Sequence, residues 1–155
     1  MRRFYFWALL LLAGLVSCKT ATPEQPTAEE DTILDAYWML LSLEGQSPQA
    51  PNNTRTAFIR LQEGKNDLKG FTGCNALFGK YELNGSTVRF SALGSTRMMC
   101  PIMEQETRFL RVLERVDSYS IADRILTLYA GGEAVATFRT GNREDLEREA
   151  TNEGQ

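Results

Sequence analysis

The chain of 155 residues contains no histidine. That absence removes the usual Ser-His and Cys-His nucleophile pairs and every zinc site built on imidazole. Basic side chains are outnumbered, 17 against 20 acidic ones, for a net charge of −3. An acidic balance makes nucleic acid and anionic head groups poor partners. The apolar run at residues 4–16 falls short of the roughly 20 residues a helix needs to cross a bilayer. Phosphate cradles are missing too, because Gly70-Phe71-Thr72-Gly73 has neither the lysine nor the spacing of a P-loop. Cysteine is scarce, three in all, and the positions of those three organise the rest of the reading.

What is present begins with Arg2 and Arg3, continues through the apolar run and ends at the small residue Ser17, which together read as an export signal at residues 1–17. The order Leu15-Val16-Ser17-Cys18 resembles the lipobox of bacterial lipoproteins. That resemblance implies lipidation of Cys18 and cleavage in front of it. Each buried methylene contributes about 0.8 kcal/mol, so two or more acyl chains hold a protein stably on a membrane. A plain secretory signal followed by a coincidental cysteine is the alternative. Lys19 does not resemble the aspartate of inner-membrane retention, so the expected destination is the outer membrane. Cleavage takes Arg2 and Arg3 away and moves the net charge from −3 to −5.

With Cys18 lipidated, Cys74 and Cys100 are the remaining possible pair. In an oxidising compartment their bridge closes a loop of about 27 residues, worth roughly 3 to 4 kcal/mol in the chain-entropy model. Two unpaired buried thiols are the other option. Residues 18–32 carry Pro23, Pro26 and the cluster Glu29-Glu30-Asp31 without apolar periodicity, as a flexible tether does. Residues 33–140 are patterned as one globular domain, and residues 141–155 form a charged tail with almost nothing to bury, a frayed helix or disorder.

Within the domain, period-two alternation predicts strands over residues 37–41, 57–61, 68–71, 80–83, 86–90, 124–129 and 133–139. Asn84-Gly85 predicts a type I′ hairpin turn that sets Tyr81 opposite Val88. One helix interrupts the strands around residues 101–116. Pro101 suits its first position, and Glu104 and Glu106 suit its early turns as solvated acids. Arg111 and Arg115 suit its end. Ile102, Phe109, Leu110, Leu113 and Val116 line its core side. The fold expected is mostly β (α+β), a compact set of antiparallel hairpins with one packed helix. Residues 42–55, with Pro48, Pro51 and Asn52-Asn53, read as a loop of variable length, a contact surface being the alternative.

Several motifs recur in an order that resembles the META domain of HslJ-type proteins. These are Trp38, Gly73-Cys74-Asn75, Gly79-Lys80-Tyr81, Thr96-Arg97-Met98-Met99-Cys100-Pro101, Glu104-Gln105-Glu106 and Phe109-Leu110. Tyr119-Ser120-Ile121 and Leu126-Thr127-Leu128 follow. The resemblance implies an envelope lipoprotein linked to heat shock, novobiocin tolerance and secretion or motility, with no agreed catalytic activity.

A non-enzymatic function by binding is therefore expected, with no cofactor, no metal and an envelope protein or ligand as partner. Asn75, directly after Cys74, and Arg97, three residues before Cys100, come together if the bridge closes and form the candidate binding patch, set against purely structural roles for both. Met98 and Met99 read as core filler and its surface neighbour rather than as a copper-binding pair. An envelope inhibitor of a hydrolase such as lysozyme is the alternative function. An enzyme of unknown type is a third, whose mark is turnover abolished by Arg97→Ala with the fold intact.

Overall fold

The computed structural model describes residues 32–49, 56–142 and 144–145. The export signal, Cys18, the tether, most of the tail and residues 50–55 lie outside the described residues. The strands are β1 (Tyr37–Leu43), β2 (Phe58–Gln62), β3 (Asp67–Phe71), β4 (Ala76–Asn84) and β5 (Thr87–Ser95), then β6 (Ser118–Ala122), β7 (Ile125–Ala130) and β8 (Glu133–Gly141). The helix α1 (Met103–Arg115) comes between β5 and β6. The fold is mostly β, as expected, but its strands do more than form hairpins. Each pairs antiparallel with the next, and β8 returns to β1 along six paired positions, closing a barrel. Every strand has a neighbour on both sides, although β5 meets β6 at the single pair Thr87–Ser118.

Alternation along the strands decides which side chains fill the interior. Ile59 and Leu61 of β2 and Leu126 and Leu128 of β7 are fully buried, whereas Phe58, Arg60 and Gln62 are only partly so. Trp38 of β1 is also inside, and its indole Nε1 donates to the carbonyl of Ile33 at 2.9 Å. This bond satisfies the one polar atom of a large buried ring. It also draws the chain before β1 against the barrel, where Ile33 is itself buried.

The helix completes the core. Gln105, Phe109, Val112 and Leu113 are its buried residues, at the spacing of one helical face. Phe109 reaches Phe138 of β8, with ring centroids 6.2 Å apart. Val112 therefore joins the expected apolar face. Pro101 stands in the turn before the helix, which starts at Met103 with Ile102 at its N-cap.

Two strand expectations need correction. The β4–β5 hairpin pairs Asn84 with Thr87, so its central residues are Gly85 and Ser86, and Tyr81 faces Phe90 rather than Val88. Gly85 takes φ 56°, and Asn84 stays out of the positive-φ region, as when glycine occupies the first central position. The slip is two residues, so the inward face is preserved. The second correction is β6, which is not among the expected strands. None of its five residues is fully buried, although Tyr119 and Ile121 alternate with serine and pack partly buried against the core. Its pairing with β7 over five positions makes it a strand.

Candidate binding site

The segment between β3 and β4 carries three of the motif residues. Thr72 holds the turn, because its hydroxyl accepts from the backbone N–H of Asn75 at 2.9 Å, and its own N–H donates to the Asn75 carbonyl at 2.9 Å. Gly73 has φ 98°, and a Cβ there would stand 3.0 Å from Ile102 Cδ1. Glycine thus serves both the left-handed backbone and the approach of the helix start. Cys74 and Cys100 face each other at disulfide distance, their Cα atoms 6.2 Å apart.

Asn75 is 2% exposed and fully engaged. Its Oδ1 accepts from the Met98 N–H at 2.7 Å and the Thr96 hydroxyl at 2.9 Å. Its Nδ2 donates to Glu106 Oε2 at 2.7 Å and reaches the Met98 carbonyl at 3.3 Å. These partners fix the orientation of the amide. The Glu106 carboxylate also accepts from the Thr72 hydroxyl at 2.9 Å and the Ser95 hydroxyl at 2.7 Å. Glu106 is therefore not the solvated acid expected. It ties α1 to β5 and to the segment between β3 and β4.

The candidate patch divides accordingly. Asn75 is inside, with its polar atoms already paired, while Arg97 is exposed and makes no hydrogen bond or ion pair with Asn75 or Glu106. Proximity in the chain to two bridged cysteines brought their backbones near one another without turning both side chains to one surface. Met98 differs from the core filler expected, while Met99 is the surface neighbour expected. Both are exposed, because the bonds to Asn75 use the backbone of Met98 and leave its side chain outside.

A second feature lies on the outer side of α1. Glu104, Thr107, Arg108, Arg111, Glu114 and Arg115 line a groove of about 620 Å³, closed on one side by Glu44 after β1. Arg115 pairs with Glu44 at 2.7 Å. The Nη1 of Arg108 donates to Gln46 Oε1 at 2.8 Å, and its buried Nε has no hydrogen-bond partner among the described residues. Next to it, the buried Gln105 side chain exchanges two hydrogen bonds with the backbone of Gln49, which holds this loop against the helix. Arg108 and Arg111 form no ion pair among the described residues. Two guanidinium groups without carboxylate partners suit a carboxylate or phosphate.

The groove was legible in part. Positions 104, 108, 111 and 115 fall on one face of a helix at spacings of three and four, but in the sequence alone Arg111 and Arg115 serve equally well as complements to the helix dipole. Groups with displaced pKa values lie away from both features. The Lys80 ammonium bonded to Asp67 pulls that carboxyl below its ordinary value, and the Ser118 hydroxyl, then the Gly131 N–H, do the same for Asp117. Burial pushes the Tyr81 phenol up. Among the described residues, no three acidic, cysteine or histidine side chains gather as a metal site would require.

Comparison with curated proteins found no match. Among solved structures, an NMR structure of a protein from Burkholderia xenovorans is similar with a TM-score of 0.58 and 23% identity, covering 79% of this chain and 100% of that one. A second protein solved by NMR has a TM-score of 0.55 and 21% identity, covering 69% of this chain and 90% of the other. Both share the fold. The META domain family matches residues 31–142, which span the whole barrel together with its helix, and the chain belongs to that family.

Proposed function

We propose that this META-domain protein is a lipid-anchored component of the bacterial envelope, held at the outer membrane through Cys18, that works by binding and not by catalysis. The observation that carries the reading is how the polar side chains are divided. Thr72, Asn75, Gln105 and Glu106 are consumed in holding the helix and its neighbouring segments. The groove along α1 carries three acidic and three basic side chains, and two of its cations, Arg108 and Arg111, lack carboxylate partners among the described residues. Such a groove recognises an acidic group on an envelope component, and support of envelope integrity under stress or antibiotic challenge follows from that contact.

The test is complementation of a deletion strain under heat and novobiocin. Wild-type protein restores growth, Cys18→Ala fails and leaves the membrane fraction, and Arg108→Ala/Arg111→Ala fails while remaining folded and membrane-bound. Full complementation by the double variant would remove the groove from the function. Inhibition of a lysozyme by the purified domain would replace this reading with that of a hydrolase inhibitor.

A further inference from the structure

Methionine is distributed in this protein against the ordinary burial rule. Met39 is 1% exposed, whereas Met98, Met99 and Met103 are 63%, 94% and 51% exposed. The three lie within six residues, on either side of Cys100 and up to the first residue of α1. Burying such a side chain ordinarily stabilises a fold. The fold forgoes that gain three times in one segment.

The segment is nevertheless held in place. Asn75 bonds both the N–H and the carbonyl of Met98, at 2.7 and 3.3 Å, and Cys100 is paired with Cys74. The backbone is therefore pinned at two points while the thioethers stay in water. The other oxidation-prone groups among the described residues are protected. Cys74 and Cys100 are joined, and Trp38 and Met39 are 1% exposed.

We propose that Met98, Met99 and Met103 form a reversible oxidation site for peroxide-class oxidants. A lone pair on the thioether sulfur attacks one oxygen of hydrogen peroxide. The S–O bond forms as the O–O bond breaks, and a proton passes to the departing oxygen. The sulfide becomes a sulfoxide by loss of two electrons, and the peroxide is reduced to water. A methionine sulfoxide reductase reverses the change, one enzyme type for each sulfoxide epimer, by taking two electrons from a dithiol, which becomes a disulfide, and releasing the oxygen as water. Because these side chains are already solvated, the added oxygen makes the surface beside the bridge polar without entering the core. The site stands independently of what the α1 groove binds.

The test is peptide mapping by mass spectrometry of the mature, disulfide-bonded protein during exposure to hydrogen peroxide. Met99 gains oxygen first, Met98 and Met103 follow, and each reacts at least about tenfold faster than Met39, since susceptibility follows exposure. The oxidised protein keeps its melting temperature, and treatment with both reductase types restores the original mass. In Met98→Leu/Met99→Leu/Met103→Leu, oxygen uptake falls to the slow rate of Met39. Comparable rates at Met39 and Met99 would overturn the proposal, as would a lowered melting temperature after oxidation or undiminished uptake by the triple variant.

Discussion

Asn75 and Glu106, 31 residues apart in the chain, meet in a 2.7 Å hydrogen bond between amide and carboxylate. Through it the turn after β3 is joined to the first turns of α1. Because Glu106 also accepts from Thr72 and Ser95, one carboxylate organises three separate segments. Glu106→Ala leaves the Asn75 amide and the Thr72 hydroxyl without that acceptor and should cost about 2 to 3 kcal/mol. Glu106→Gln retains an acceptor and should cost about 1 kcal/mol. Urea denaturation of the two variants checks the order, and equal losses would contradict a hydrogen-bonding role.

The Cys74–Cys100 pair, 26 positions apart, should stabilise the protein by roughly 3 to 4 kcal/mol. Reductant should lower the urea midpoint of the wild type and leave that of Cys74→Ser/Cys100→Ser unchanged. A wild-type midpoint indifferent to reductant would mean that the bridge contributes nothing to stability.

Gly73 and Gly45 separate backbone strain from crowding. Both have positive φ, 98° and 76°, but a Cβ at Gly73 meets Ile102 at 3.0 Å whereas one at Gly45 meets nothing within 4 Å. Gly45→Ala should cost about 1 kcal/mol from conformation alone. Gly73→Ala should cost more, because the start of α1 must also shift. Thermal unfolding of the pair checks this, and equal losses would show that Ile102 gives way freely.

Asp117 accepts from the Ser118 hydroxyl and the Gly131 N–H, both at 2.6 Å, and its carboxyl is held below the ordinary value. A carboxyl whose pKa is lowered in the folded state contributes stability above its unfolded value of about 4. That contribution is lost as pH falls through the lower folded value. Between pH 5 and pH 2 the urea midpoint should fall more steeply in the wild type than in Asp117→Asn. Parallel slopes would assign the acid sensitivity elsewhere.

Local pattern and long-range contact contributed differently to what could be read. The buried faces of β2 and β7 were legible because Ile59 and Leu61, or Leu126 and Leu128, alternate with more exposed residues. The signal is weaker in β6, where Tyr119 and Ile121 on the inner face are only partly buried. Glu106 looked like any early-turn acid, since its partners Thr72, Asn75 and Ser95 come from elsewhere in the chain. Asn75 was recognisable as important, but whether its amide faced solvent depended on Thr96 and Met98 returning to it.

The sequence by itself determined the mostly β character, the single helix and the motifs of the family, because alternation, helical spacing and residue order are local properties. Only the tertiary structure decided that the strands close into a barrel, that Asn75 is interior and that three methionines stand in water. Each of these depends on which distant segments come into contact, and no short-range periodicity encodes that.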